Sequence, residues 1–304
     1  MLAALILASV IAAAPHRQGP LYRPRRIPPV LTAAGSDDGV WHALGAFVAG
    51  APPLLVTTFH PDPGNPLAIA YVAWIDHART GLALYPGLYE PPGASPRGPA
   101  QIPSGERWRL VAAFNGGFKY GHGADGGFSV DGHTYVWLRR GLGTLIGYRD
   151  GGVDIVSWRG GPTPGPEVAF ARQNLPLIVQ GARPSPTIGN GWEWGATLGG
   201  ATAVWRTGIG VDRRGNLIYA AAPAQTAAGL ADILIRAGAV RAIELDINPQ
   251  WPTFNVYVHR HGLQPSMFVP NYQQSAARYL APDTRDFFAV YRRTSGEPAV
   301  VPFR

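Results

Sequence analysis

Short apolar runs separated by turn-forming residues restrict the fold of this 304-residue chain more than any other feature. Clear runs occupy residues 54–59, 68–75, 109–115, 203–212 and 287–292. Gly, Pro, Asn or Asp bounds each of them, which is typical of β-strands joined by turns. The 39 glycines and 30 prolines follow no Gly-X-Y period, so a collagen-like fibre is excluded. The pattern predicts a compact, mostly β structure.

One segment has the pattern of a helix. Thr226 is a good N-cap, residues 227–237 carry apolar side chains at helical spacing, and Gly238 follows as a C-cap. Strand-like runs flank this segment, so residues 217–247 predict a strand–helix–strand unit. The Pro- and Gly-rich residues 85–106 predict a long surface loop. We expect one α+β domain over residues 41–304, mostly β-strands with a few helices packed on the sheet.

The N-terminus has the composition of an export signal. Residues 1–14 are apolar apart from Ser9 and end in three alanines, and they are too short for a stable membrane anchor. We therefore expect a signal peptide over 1–14, a Pro- and Arg-rich linker over 15–40, and a protein that is secreted or associated with the cell envelope. Membrane contact would then occur only through the N-terminal segment during export. A hydrophobic N-terminal strand is the alternative.

Cysteine and charge narrow the possible chemistry. The chain has no cysteine, which excludes disulfides, thiolate zinc sites and cysteine nucleophiles, and which fits an oxidising compartment. The net charge is +7, but the arginines are scattered and Lys119 is the only lysine. Without a basic stripe the charge argues against a nucleic-acid partner. It is compatible with a glycan or an anionic glycopolymer.

Two carboxylates lie close together in the run 241–249. Alternation along a strand places Glu244, Asp246 and Asn248 on one face and apolar residues on the other. The carboxylates would stand roughly 7 Å apart, and their repulsion would raise the pKa of one of them. Such a pair suits acid–base cleavage of a glycosidic or phosphodiester bond. A solvated strand face is the alternative.

A second polar group follows the apolar strand over 109–114. Asn115, Gly116 and Gly117 end this strand, and Lys119 comes shortly after. The paired glycines would let the backbone turn and direct N–H groups at an anion, while Asn115 adds an amide donor. A simple Gly-Gly turn is the alternative.

A third group, Arg206 and Thr207, begins a strand with alternating apolar residues. The planar guanidinium of Arg206 suits phosphate oxygens, and a structural ion pair with a carboxylate is the alternative. His122 and Asp125 lie in a glycine-rich loop and could form a metal or acid–base pair, or an ordinary exposed loop. No cofactor is required by the sequence, and a divalent metal is possible.

These three groups, in this order and spacing, resemble the phosphodiester glycosidase family. The resemblance lies in the stretches 114–118, 206–211 and 242–246 and extends over roughly residues 53–291. It implies a secreted hydrolase of sugar-1-phosphodiesters on an α+β fold. Where the family has Asn-Leu-Asp-Gly-Gly-Gly-Ser, residues 244–250 read Glu-Leu-Asp-Ile-Asn-Pro-Gln, which implies a different acceptor side of the pocket.

The residues and the resemblance together predict a site. The expected catalytic residues are Asp246, Glu244, Arg206 and Asn115, and the expected substrate-binding residues are Gly116, Gly117, Lys119, His122, Thr207 and Asn248. Arg206 and the 115–117 turn would hold phosphate, and the two carboxylates would share base or nucleophile work and proton donation. An ordinary glycoside hydrolase acting on neutral polysaccharide is one alternative. A non-catalytic binder of wall polysaccharide, using the nine tryptophans and twelve tyrosines, is the other.

Overall fold

The computed structural model describes residues 22–32, 35–45, 47–93, 97–121 and 125–293. The predicted signal peptide, the first part of the predicted linker and His122 lie outside these ranges. No helix in the described ranges is long and apolar enough to cross a membrane.

Short strands make up most of the described chain, as the sequence predicts. In chain order they are β1 (His42–Leu44), β2 (Leu54–Phe59), β3 (Ala70–Ile75), β4 (Thr80–Tyr85), β5 (Leu110–Asn115), β6 (Phe128–Val130), β7 (His133–Val136), β8 (Gly143–Tyr148), β9 (Val153–Ser157), β10 (Val168–Gln173), β11 (Val179–Gln180), β12 (Arg183–Pro184), β13 (Val204–Val211), β14 (Leu217–Gln225), β15 (Arg241–Glu244), β16 (Phe254–His259), β17 (Leu263–Met267) and β18 (Phe287–Arg292). One α-helix, α1 (Ala227–Arg236), and 3-10 turns at Ser104–Arg109, Gly191–Trp194, Leu198–Gly200 and Arg278–Leu280 complete the regular structure.

The strands form three sheets. The first has the order β1-β2-β3-β14-β13-β15-β11-β12, the second β7-β6-β10-β8-β9, and the third β17-β16-β5-β18-β4. Both β14 and β15 pair with β13 in antiparallel fashion, so they run parallel to each other with α1 as the crossover between them. The predicted strand–helix–strand unit is present, and a single, mostly β α+β domain is confirmed.

Helix α1 covers the outer face of the first sheet. The Thr226 hydroxyl accepts a hydrogen bond from the Gly229 amide at 3.2 Å, which caps the helix as expected. Its apolar side chains Leu230, Ile233 and Leu234 are fully buried. A Cβ atom on Gly208 of β13 would lie 3.0 Å from the Leu234 side chain, so this glycine lets the helix pack close to the sheet.

The main core fills the space where the inner faces of the three sheets meet. Four aromatic rings at its centre pack together, with the Phe114 ring 5.2 Å from those of Phe288 and Tyr219 and 5.9 Å from that of Phe254. Close packing of rings from three strands of the third sheet and one of the first fixes how these sheets meet. The polar residues that follow Phe114 are therefore held at a rigid junction.

The described part of the predicted linker packs on the domain. Ile27 is fully buried in the cluster beneath α1, and the Tyr22 ring lies 6.0 Å from the Trp74 ring. The Ile27 amide also donates to the Gly39 carbonyl at 3.0 Å. This segment adds apolar surface to the first sheet, and the domain boundary at residue 40 stays a prediction.

Candidate functional site

A cleft of about 1300 Å³ opens where loops from the first and third sheets meet. Its walls come from the loop after β4, the turn after β5, the 3-10 segment around residues 192–199, the loop 246–251 after β15, and Thr284 and Arg285 just before β18. The buried side chains of Glu90, Asp246 and Arg285 form a charged part of this wall. Concave sites with a few convergent charged groups are where ligands bind.

Asp246 is held at the cleft wall by both its backbone and its carboxylate. Its amide donates to the Gly116 carbonyl at 3.2 Å, and its carbonyl accepts from the Thr207 hydroxyl at 2.7 Å. Carboxylate Oδ1 accepts from the Asn248 amide at 2.9 Å, and Oδ2 accepts from Arg285 Nη2 at 2.6 Å. Burial raises the pKa of Asp246, and the Arg285 guanidinium opposes this rise.

Arg285 is the central cation of the cleft. Besides Asp246, its Nη2 reaches the Gly117 carbonyl at 3.1 Å, and its Cζ lies 5.0 Å from the centre of the Trp251 ring. Its buried Nε has no hydrogen-bond partner, and Nη1 donates no hydrogen bond to any residue in the described ranges. A guanidinium with unused donors in a cleft is suited to binding oxyanions.

Glu90 stands on the other side of Arg285. Its Oε2 accepts a hydrogen bond from the Tyr120 amide at 3.0 Å and lies 3.7 Å from Arg285 Nε. Burial raises the pKa of Glu90, while the Tyr120 amide and Arg285 counter the rise. Two buried carboxylates, Glu90 and Asp246, thus flank one arginine.

A second arginine supports this arrangement from below. Arg172 and Asp286 are buried and pair through Nε and Oδ2 at 2.8 Å, and Arg172 Nη2 also donates to the Phe118 carbonyl at 3.1 Å. A Cβ atom on Gly116 would lie 2.1 Å from Asp286 Oδ2, and one on Gly117 would lie 2.8 Å from Arg172 Nη2. These two positions therefore have no room for a side chain.

The same contacts correct the predicted anion-binding turn. Neither Gly116 nor Gly117 has a positive φ, and the Gly116 amide donates to the Asp286 carbonyl at 3.0 Å. A nest of free N–H groups is not formed by these glycines. They are needed because the Arg172–Asp286 pair approaches the backbone closely.

Glu244 and Arg206 form an ion pair away from the cleft. Both side chains are fully buried, Arg206 Nη1 binds Glu244 Oε1, and neither residue lines the cleft. The remaining donors of Arg206 go to backbone carbonyls at 2.7 to 3.0 Å, namely those of Gln225, Trp194, Gly195 and Thr202. All five N–H groups of Arg206 are thereby used, so the predicted phosphate contact is wrong.

Glu244 is not placed for its predicted acid–base role, because its side chain is buried against Arg206 and does not line the cleft. Strand β15 has buried residues on both faces, so Glu244 points to Arg206 and does not share an open face with Asp246. Burial raises the pKa of Glu244 to about 7 against the opposing charge of Arg206, and Asp246 adds only a minor increase. The pKa of Glu244 is raised, as expected, but the main cause is burial and not the repulsion between Glu244 and Asp246 that the sequence suggests.

Asn115 and Thr207 also position other groups instead of facing the cleft. Asn115 Nδ2 donates to the Gly116 carbonyl and to the Thr207 hydroxyl, both at 3.0 Å. Its Oδ1 accepts from the Tyr219 hydroxyl at 2.9 Å and from the Thr253 amide at 3.2 Å. Because every amide donor of Asn115 is occupied, its predicted donation to a substrate anion is wrong. It ties β5, β13 and β14 to the backbone of Asp246.

Of the predicted site residues that the structure describes, Asp246, Lys119 and Asn248 line the cleft. Lys119 and Asn248 are exposed at its rim. Glu90 and Arg285 also line the cleft but are not among the site residues predicted from the sequence. The only sequence signal for Arg285 is the charged group at 283–286 directly before a core strand, and Glu90 lies in the segment predicted to be a surface loop. Within the described ranges, no three His, Asp or Glu side chains are arranged to hold a metal ion.

The fold and part of the sequence are similar to those of known proteins. Residues 109–246 match the family model described as phosphodiester glycosidase. The structure resembles the catalytic domain of zebrafish N-acetylglucosamine-1-phosphodiester alpha-N-acetylglucosaminidase with a TM-score of 0.52 and 14% identity, covering 84% of this chain and 88% of that one. A hypothetical protein from Synechocystis has a TM-score of 0.44 and 13% identity, covering 81% of this chain and 63% of that one. No curated protein sequence matches significantly.

Proposed function

We propose that the protein is a hydrolase that cleaves a sugar-1-phosphodiester, because residues 109–246 match the family model of phosphodiester glycosidases. The observation that carries this proposal is the position of Arg285 in the cleft. This cation has unused donors and is flanked by the buried carboxylates of Glu90 and Asp246. One cationic group for a phosphodiester and two carboxylates for hydrolysis are the groups that this reaction needs.

Arg285 is the proposed phosphate-binding residue, in place of Arg206. Its guanidinium lies over the Trp251 ring, which orients the plane of the cation. The free Nη1 donors can bind a phosphodiester oxygen while Nη2 stays on Asp246. Lys119 adds positive charge at the rim.

Asp246 and Glu90 are the proposed acid–base pair. Burial raises the pKa of both, which favours a protonated carboxyl beside an ionised one. The protonated carboxyl donates its proton to the departing phosphate oxygen as the bond from the anomeric carbon breaks. The ionised carboxylate assists the attack of water on that carbon, so the products are a free sugar and a phosphomonoester.

Aromatic side chains support a sugar substrate. Tyr89 and Trp192 line the cleft and are 73% and 72% exposed. Exposed aromatic faces beside a polar cleft are suited to stacking against sugar rings. We propose a glycan or anionic glycopolymer as substrate, with no nucleic-acid partner.

Secretion to the cell envelope is part of the proposal. Its support is the apolar segment 1–14, which ends in three alanines, and the absence of cysteine from the chain. The substrate would then be a polymer of the envelope or an extracellular glycopolymer.

The test uses pairs of synthetic substrates that share one sugar. Release of reducing sugar is measured from sugar-1-(4-nitrophenyl phosphate) diesters and from the matching neutral 4-nitrophenyl glycosides. Arg285→Gln is expected to lower kcat/KM about 100-fold or more on the diester alone. Asp246→Asn and Glu90→Gln are each expected to lower kcat by about 10²- to 10⁴-fold.

Arg214→Gln is the matched control. Arg214 also lies over an aromatic ring, with its Cζ 4.3 Å from the centre of the Tyr22 ring, but it is not part of the cleft. This variant should keep wild-type turnover. A folded Asp246→Asn protein with unchanged turnover would refute the assignment. Turnover of both substrates that Arg285→Gln leaves unchanged would favour an ordinary glycoside hydrolase, and binding without turnover would favour a polysaccharide binder.

A further inference from the structure

A surface of tryptophans and arginines lies at one end of the second sheet. We define this Trp–Arg surface by Trp137 after β7, Arg139 and Arg140 before β8, and Trp158 and Arg159 after β9. The strand registers place the end of β7, the start of β8 and the end of β9 at the same end of the sheet. Residues from two separate connections, β7–β8 and β9–β10, thus meet there.

Backbone hydrogen bonds hold these turns together. The Leu138 amide donates to the Pro162 carbonyl at 2.7 Å, and the Gly141 amide donates to the Trp158 carbonyl at 2.9 Å. The Trp158 ring is half-buried and donates from Nε1 to the Gly161 carbonyl at 2.9 Å. The backbone at this end of the sheet is therefore preorganised for binding.

The arginines of the surface are not neutralised. Arg139 Nη1 binds the Asp125 backbone carbonyl at 2.8 Å, and Arg140 Nε binds the Gly160 carbonyl at 3.3 Å. Arg159 is exposed, and none of the three forms an ion pair with a carboxylate in the described ranges. The Asp125 carboxylate itself accepts from the Gly121 amide at 2.7 Å. Three cations at this end of the sheet thus keep donors to spare.

An exposed tryptophan completes the surface. Trp137 is 72% exposed, which leaves one large apolar ring in the same connection as Arg139 and Arg140. Arginine binds carboxylate, sulfate and phosphate oxygens, and a tryptophan ring stacks on a sugar ring. We propose that the Trp–Arg surface is an accessory binding site for an acidic polysaccharide, separate from the cleft.

Hydrogen bonds at the end of β10 also connect the backbone of this surface to residues beneath the cleft. The buried Gln173 at the end of β10 accepts from the Arg139 amide at 2.8 Å and donates to the Arg139 carbonyl at 3.0 Å. The preceding residue, Arg172, pairs with Asp286 beneath the cleft. Strand β10 thus contacts both the Trp–Arg surface and the ion pair behind the cleft wall, whatever reaction the cleft performs.

The test measures binding of the whole protein to dextran sulfate, to neutral dextran and to poly-aspartate at low salt. We expect dextran sulfate to bind most tightly. Trp137→Ala should weaken dextran sulfate binding about three- to tenfold while leaving poly-aspartate binding unchanged. Arg140→Gln with Arg159→Gln should weaken it up to about tenfold, with a smaller dependence on salt.

Two matched controls replace one exposed tryptophan and two exposed arginines outside the Trp–Arg surface. Trp108 is 54% exposed and lies 5.9 Å from the Arg292 guanidinium, and Arg23 and Arg213 are exposed. Trp108→Ala and the pair Arg23→Gln with Arg213→Gln should bind dextran sulfate as the wild type does. Turnover of a small cleft substrate should be the same in all of these proteins.

Several results would overturn the proposal. If the double arginine variant of the surface and the Arg23→Gln, Arg213→Gln control lose equal affinity for dextran sulfate, binding depends only on net charge. Binding of poly-aspartate or single-stranded DNA as tightly as dextran sulfate would remove the role of the sugar ring. Absence of dextran sulfate binding by the wild type would also refute it, whereas loss of cleft turnover with intact binding would affect only the proposed reaction.

Discussion

The substitution Arg206→Ala tests whether Arg206 stabilises the fold or binds the substrate. In the wild type the guanidinium is fully buried and is bonded to Glu244 and to four backbone carbonyls. Alanine removes the cation and leaves a buried carboxylate without its partner. It also leaves carbonyls of the segment 194–202 without their donor.

The expected loss follows from these contacts. Removing one partner of a buried ion pair costs about 3–5 kcal/mol. Each lost hydrogen bond to a carbonyl adds about 0.5–1.5 kcal/mol. Since a domain is stable by only about 5–15 kcal/mol, Arg206→Ala should lose most of its free energy of unfolding. We expect a decrease of at least about 5 kcal/mol.

Urea unfolding followed by circular dichroism and tryptophan fluorescence measures this loss. The control is Arg236→Ala, because Arg236 forms a half-exposed pair with Asp232 one turn away on α1. The control should lose less than about 0.5 kcal/mol. If Arg206→Ala unfolds at the same urea concentration as the control and only its KM for diesters rises, Arg206 faces the substrate and our assignment is wrong.

Three further predictions test the site and its support. Because burial raises the pKa of Glu244 from 4.5 to about 7, the folded state holds this proton more tightly than the unfolded state. The Glu244 contribution therefore makes the free energy of unfolding fall as pH rises between these values, and urea titrations across this range should show a shallower fall for Glu244→Gln. Gly116→Ala places a Cβ atom 2.1 Å from Asp286 Oδ2 and should lower the free energy of unfolding by about 1–3 kcal/mol, whereas Gly105→Ala, which meets no atom within 4 Å, should not show this loss in thermal unfolding. Trp192→Ala should raise KM for an oligosaccharide diester about three- to tenfold with kcat and Tm unchanged, and an unchanged KM would exclude stacking at this position.

The sequence predicts the elements well where local signals decide them. Strands β2 and β18 have the predicted bounds, and α1 begins after Thr226 as its cap indicates. These elements are set by apolar periodicity and caps within a short window. The strand expected in the run 241–249 ends at Glu244 as β15, because the chain leaves the sheet there and places Asp246 at the cleft.

The site was only partly predictable. Asp246 could be found because it follows a core strand directly. The roles of Glu244 and Arg206 could not be predicted. Alternation along a strand shows which residues share a face, but not that helix α1 and the segment 194–202 cover the polar face of β15. Glu90 and Arg285 come from loops far apart in the chain, and only the tertiary fold brings their charges within 3.7 Å.

The position of β18 links the cleft to the folding of the third sheet. This strand inserts between β4 and β5, and the two residues before it are Arg285 and Asp286. Until β18 pairs with both neighbours, Arg285 is not held in the cleft and Arg172 lacks its partner Asp286. The charged wall of the cleft therefore forms only when the third sheet closes around β18, so local opening of this sheet would dismantle the cleft before the other two sheets unfold.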